Sequence, residues 1–254
     1  MEIDFSDLWF YYHDLAHVKL QPEVFAYLFP VCLMAWHQSL MENTGCGVGD
    51  AEFHNGVLLG NVFQKMMTPD QRMAVYQFFK DSFLARLDQE RGFVYSGSKT
   101  PAYAWMSRFA SLGIVMPRID LVWTSWWALE TPGRAVAALQ YISGLMYPLG
   151  QNPLFPPWTP EEGGGDPPLV AHDSHIVGAG WTPENTDFLR AVLTPDFVAD
   201  GIHRAVKALT GESEHKKAGQ LEHDLGHYLS IVQARVNELP ALLETLHLGP
   251  TWSK

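Results

Sequence analysis

The chain has 254 residues, and its 28 acidic against 17 basic side chains give a formal net charge of −11. Charged residues make up only 18% of the sequence and aromatic residues 13%, a composition that excludes wholesale disorder and allows a large core. The acid excess argues against a nucleic-acid-binding protein, which needs a basic face to neutralise phosphate, and against docking on an anionic membrane.

The first residues predict neither a secretory signal nor a transit peptide, because Met1 is followed by Glu2 and Asp4 rather than by basic and apolar residues. Two cysteines, Cys32 and Cys46, do not make a disulfide framework, so we expect a cytoplasmic protein. The longest strongly apolar run is 24–36. Thirteen residues are too few to span a bilayer as a helix, so this run predicts a buried core helix.

The dipeptide Thr-Pro occurs six times and predicts helix starts. A Thr at N-cap accepts a bond from a backbone N–H of the first turn, and Pro at the next position loses no helical bond. Thr68 and Gln71 also have the spacing of a reciprocal capping box. The six pairs begin at Thr68, Thr100, Thr131, Thr159, Thr182 and Thr194.

Apolar residues recur at three- and four-residue spacing along most of the chain, and alternating strand patterns are nearly absent. We therefore predict an all-α fold of roughly ten helices with one long Pro/Gly-rich loop. The loop, 148–181, separates an N-terminal helical region, 1–147, from a C-terminal one, 182–254, and we expect one continuous domain. The predicted helices are 5–16, 22–43, 53–67, 69–91, 101–112, 118–129, 132–146, 183–193, 195–209, 220–237 and 240–247.

A His-Asp-Leu-x-His segment appears twice, and two His four residues apart share one helix face, as a metal site requires. Carboxylates three residues before a His suit a helical site for Fe, Mn or Zn. The helical wheel opposes this interpretation, because it places the second pair of His opposite the apolar stripe of its own helix. The candidate ligands are His13, Asp14, His17, His223, Asp224 and His227.

Three tryptophans, Trp123, Trp126 and Trp127, share a face of one predicted helix. Core packing explains them, and so does a protein-contact patch, since Trp is enriched at interface hot spots. The predicted partner-binding set combines these aromatic side chains with one Trp of the long loop and two late acids. Its members are Trp123, Trp126, Trp127, Trp158, Glu222 and Asp224.

The sequence contains no complete motif for a catalytic nucleophile or a phosphate-binding loop, so no catalytic residue is predicted. We expect an acidic cytosolic binding protein without a cofactor, for instance an inhibitor or immunity protein that neutralises a basic bacterial toxin. Electrostatic complementarity would speed such an encounter. Two alternatives stay open: a metal-dependent helical enzyme that uses the His-Asp-Leu-x-His segments, and a non-catalytic structural helical domain.

Overall fold

The computed structural model describes residues 5–42, 53, 56–57, 59–93, 118–147, 152–154 and 183–247. Within these ranges the regular elements are nine helices, without a strand, so the all-α prediction is confirmed. The helices are α1 (Phe5–His17), α2 (Pro22–Glu42), α3 (Val62–Met66), α4 (Pro69–Asp88), α5 (Ile119–Trp127), α6 (Pro132–Met146), α7 (Pro183–Val192), α8 (Pro195–Ala208) and α9 (His215–His247).

The Thr-Pro pairs begin helices as predicted wherever the structure describes both residues. Thr68 Oγ1 accepts from the Gln71 backbone N–H at 3.3 Å, and Gln71 Oε1 accepts from the Thr68 N–H at 2.9 Å, which completes the capping box of α4. Thr131 and Thr194 cap α6 and α8 by the first of these bonds alone, with each hydroxyl oxygen accepting from the backbone N–H three residues later. Thr100, Thr159 and Thr182, which begin the other three pairs, lie outside the described residues.

Helix α6 lies at the centre of the described fold. Nearly every side chain from Gly133 to Met146 is buried, so the helix has no solvent face of its own. Helices α4, α5, α8 and α9 all pack against it. A helix that is apolar on all sides needs such a complete surround, because any face left open would expose apolar surface to water. The helices that follow the long loop thus contact the helices that precede it.

A charged joint fixes the start of α6 against the end of α4. Arg134 donates two hydrogen bonds to the Asp88 carboxylate, at 2.8 and 3.2 Å, and a third to Glu130 at 3.0 Å. The Thr131 hydroxyl also donates to Asp88. Gly133 lies directly against the backbone at the end of α4, where no Cβ would fit.

The C-terminal helix differs from the prediction of two separate helices. Helix α9 runs without interruption from His215 to His247 and passes through Pro240. Proline removes one backbone donor and crowds the preceding turn, but the helix continues on both sides of it. The predicted helix 101–112 lies outside the described residues. Within the predicted helix 53–67, residues 53, 56–57 and 59 are helical, residues 60–61 form a turn, and Val62–Met66 is a regular helix, whereas residues 54–55 and 58 lie outside the description.

Candidate functional site

The three tryptophans of α5 lie in the core rather than at the surface. Trp123, Trp126 and Trp127 are at most 3% exposed. Their rings pack on one another, with centroids 5.2 to 5.8 Å apart, and on Tyr141 of α6. Side chains this buried offer a partner no contact area, so the expected contact role does not fit the structure. The core-packing interpretation is the correct one for these three residues.

The two acids of the predicted partner-binding set are engaged by neighbouring helices. Glu222 Oε1 lies 2.5 Å from His203 Nδ1 on α8, with its side chain 38% exposed. Asp224 accepts from the Tyr147 hydroxyl at 2.8 Å and from Gln220 at 2.7 Å. Burial, and then the bond to Asp224, raise the pKa of Tyr147 well above its usual range. Asp224 therefore joins α6 to α9, and Trp158 lies outside the described residues.

The predicted metal ligands are not brought together by the described part of the chain. His223 and His227 are exposed, as the helical wheel predicts, whereas Asp224 points toward Tyr147. His17 is exposed and Asp14 half-buried on α1, and the His13 side chain lies outside what the structure describes. Among the described residues, no group of three or more His, Cys, Asp or Glu could hold a metal ion.

The described cysteine is unsuited to nucleophilic chemistry. Cys32 is fully buried on α2. Burial raises the pKa of its thiol to about 12, so the thiol stays protonated at neutral pH. Because the thiolate is the reactive form, Cys32 acts as a small apolar side chain of the core. Cys46 lies outside the described residues.

Helix α2 has a buried inner face and an exposed apolar outer face. On the inner side, Phe25, Phe29 and Trp36 are buried, and His37 Nδ1 lies 2.9 Å from the Ser82 hydroxyl of α4. On the other side, Tyr27 is 76% exposed and Met34 60%. We define the outer face of α2 by the residues that share this side, namely Glu23, Val24, Tyr27, Val31, Met34, Gln38 and Glu42.

These seven residues form one stripe along the helix. At about 100° per residue, they fall within about 100° of the helix circumference. Val24, Tyr27, Val31 and Met34 follow one another at alternating three- and four-residue spacing, the pattern of a helix seam that packs on a second helix. Val24, Tyr27 and Met34 are exposed, and Val31 between them is half-buried against the core. Exposed apolar side chains grouped in this way are typical of an interaction surface.

The charges of α2 lie at the two ends of this stripe. Glu23 precedes the apolar residues and Glu42 follows them, and the helix contains neither Lys nor Arg. Gln38 donates to the Glu42 carboxylate at 2.7 Å. Since the rise is about 1.5 Å per residue, the two carboxylates are separated by about 28 Å along the helix, with about 15 Å of apolar surface between Val24 and Met34.

The sequence-based interpretation of this segment was incomplete. The run 24–36 predicted a buried core helix, but α2 has 21 residues and buries only one side. Of the described helices, α2 is the one that is long and apolar enough to cross a membrane, by length and composition alone. The helix is therefore longer than the 13-residue run from which the sequence predicted a segment too short to span a bilayer. A helix packed in a core meets the same criterion, and the inner face of α2 is packed in this way.

The signal that the sequence offered for this surface is the coincidence of apolar residues and acid. The first 52 residues contain eight acidic side chains and one Lys, which is −7 of the net −11. Of the nine large apolar side chains that the described residues expose, five lie between residues 5 and 42. Both features therefore concentrate in the same N-terminal part of the chain.

No protein-family model, curated protein or solved structure matches this chain.

Proposed function

We propose that this protein binds a basic protein partner through its N-terminal helices. The observation that supports the proposal is the outer face of α2, an exposed apolar stripe with a carboxylate at each end. Apolar area supplies the favourable free energy of association, and the acid excess steers a basic partner and suppresses acidic ones. This mode of binding requires neither a metal nor a catalytic residue.

An inhibitor or immunity protein that neutralises a basic toxin is the particular member of this class that we propose. Such a protein needs a surface complementary to its target rather than reactive side chains. The excess of −7 within the first 52 residues would accelerate the encounter with a cationic target, an effect that weakens as salt screens the charges.

Affinity capture followed by reconstitution tests this proposal. The tagged full-length protein should retain, from lysate of its own source cells, a stoichiometric partner with more Lys and Arg than Asp and Glu. The affinity of the purified complex should fall at least tenfold between about 50 and 300 mM salt, because the interacting charges lie at the surface. For the inhibitor assignment, expression of the partner alone should arrest growth, and co-expression should restore it.

Two results would count against the proposal. Failure to capture any stoichiometric partner would remove the binding function and leave a structural helical domain. A captured partner that is acidic, or whose affinity does not change with salt, would contradict the electrostatic part of the argument.

A further inference from the structure

We propose that the outer face of α2 takes a single amphipathic helix of the partner, with basic side chains near both ends of its apolar stripe. This inference rests on the proposed function. It specifies the surface of this protein that binds, the outer face of α2, and the part of the partner that is bound, a helix. The spacing of Val24, Tyr27, Val31 and Met34 fits the seam between two packed helices, whose axes lie about 8–10 Å apart.

The two end charges define the partner further. Glu23 and Glu42 stand about 28 Å apart, so a helix lying along α2 meets them with residues about nineteen positions apart. Lys or Arg at these positions would pair with one carboxylate at each end. Because both ends of α2 are acidic, the partner helix can run in either direction without losing a pair.

The same charges disfavour a second copy of this chain as the occupant. An antiparallel pair of α2 helices would place Glu23 of one copy beside Glu42 of the other, and a parallel pair would place each Glu beside its equivalent. Helix α2 has no Lys or Arg to relieve either arrangement. Like charges set opposite each other across an interface disfavour association. An anionic lipid surface meets the same repulsion.

The role of the outer face can be tested by substitution, because α4 offers a control residue for Met34 and another for Glu42. Met34 on the outer face is 60% exposed, and Met73 on α4 is 58% exposed. Glu42 accepts a hydrogen bond from Gln38 at 2.7 Å, and Asp81 of α4 accepts one from Gln77, also four residues earlier and at 2.7 Å. Met34 thus has a control of equal exposure, and Glu42 has a control that accepts an equivalent hydrogen bond.

The experiment measures binding of labelled synthetic peptides to the full-length protein by fluorescence anisotropy. The probe is a 21-residue helical peptide with Leu at alternating three- and four-residue spacing and a pair of Lys at each end. A second peptide carries Glu in place of every Lys. We expect the Lys-ended peptide to bind at least tenfold more tightly than the Glu-ended one.

Substitutions then assign the surface. Met34→Gln should weaken binding of the Lys-ended peptide at least fivefold, whereas Met73→Gln should leave the binding unchanged. The double variant Glu23→Lys with Glu42→Lys should reverse the preference toward the Glu-ended peptide, whereas Asp81→Lys leaves the preference intact. A reversal of this kind is not produced by loss of folding, which would abolish binding of both peptides.

Several outcomes would overturn the inference. One is equal binding of the two peptides; another is an equal effect of the Met34 and Met73 substitutions. A concentration-dependent dimer that Met34→Gln dissociates, measured by light scattering, would assign the face to a second copy. Binding to phosphatidylcholine vesicles that Met34→Gln removes would assign it to lipid.

Failure of this inference is distinguishable from failure of the proposed function. If a basic partner is captured and none of the α2 substitutions changes its affinity, the proposed function stands, but the outer face of α2 is not the binding surface. If the peptides behave as expected but no stoichiometric basic protein is captured, the surface stands and the proposed function falls.

Discussion

The contact between Gly133 and the end of α4 gives a sharp test of how the described helices pack. Gly133 lies in the first turn of α6. A Cβ added there would stand 2.4 Å from the Asp88 carbonyl oxygen and 2.5 Å from the Leu87 carbonyl oxygen. Backbone atoms cannot rotate away as a side chain can, so Gly133→Ala requires the two helix ends to separate.

The cost of this separation follows from the joint beside it. Restoring an ordinary contact takes about 1 Å. A shift of that size would stretch both bonds from Arg134 to Asp88, now 2.8 and 3.2 Å, beyond the limit of hydrogen bonding. Overpacking costs about 1–3 kcal/mol and a weakened charge-assisted bond about 1.5–3 kcal/mol. The higher helix propensity of Ala returns about 1 kcal/mol. We expect the free energy of unfolding to fall by roughly 1.5–5 kcal/mol.

Urea titration followed by circular dichroism measures this change, and a thermal scan should show Tm lowered by roughly 3–20 °C at about 2–4 °C per kcal/mol. Gly219→Ala is the matched control, because a Cβ at Gly219 of α9 meets nothing within 4 Å. It should leave stability unchanged or raise it by about 0.4–1 kcal/mol. If Gly133→Ala and Gly219→Ala were equally stable, the close approach of α4 and α6 would be refuted.

Three further predictions concern the core, the joint between α6 and α9, and a cap. In a Cys46→Ser variant, Cys32 should react with a thiol reagent at pH 8 only after unfolding. The pKa of Cys32 is about 12 in the folded protein and 9 in the unfolded chain, so above pH 9 the unfolded chain loses the thiol proton more readily than the folded protein does. The free energy of unfolding should therefore be lower at pH 10 than at pH 8, which urea titrations at the two pH values would show. Reaction of the folded variant at the unfolded rate would contradict the burial. Tyr147→Phe leaves Asp224 without one donor and should lower the free energy of unfolding by about 1–3 kcal/mol; an unchanged urea midpoint would mean that the bond does not join the helices. Thr194→Ala removes the cap of α8 and should cost about 1 kcal/mol by the same titration, with Thr210→Ala, outside the helix, as the silent control.

The inner face of α2 holds the helix in place independently of any partner on the outer face. The inner face buries Phe25, Phe29 and Trp36, so it anchors α2 while the opposite side stays open. The partner helix that we propose would then dock without unfolding or repacking the protein. Such preorganisation lowers the entropic cost of association.

The sequence by itself determined the helices and many of their ends. Thr68 and Thr131 cap the helices that follow them because the bonds of a cap join residues three positions apart and depend on little else. The turn at Gly92 follows the end of α4 for the same local reason, since its φ of 75° is a conformation that Gly adopts readily. Helical periodicity likewise placed Val232 inward and His223 outward.

Only the tertiary structure decided which apolar residues become core and which stay at the surface. Trp123 and Tyr27 are both large aromatic residues on apolar helices, and composition does not separate them. Trp123 meets Tyr141 of α6, whereas Tyr27 of α2 stays 76% exposed. A helix that is apolar on both sides carries no signal for its inward face, because that choice depends on neighbours distant in the sequence.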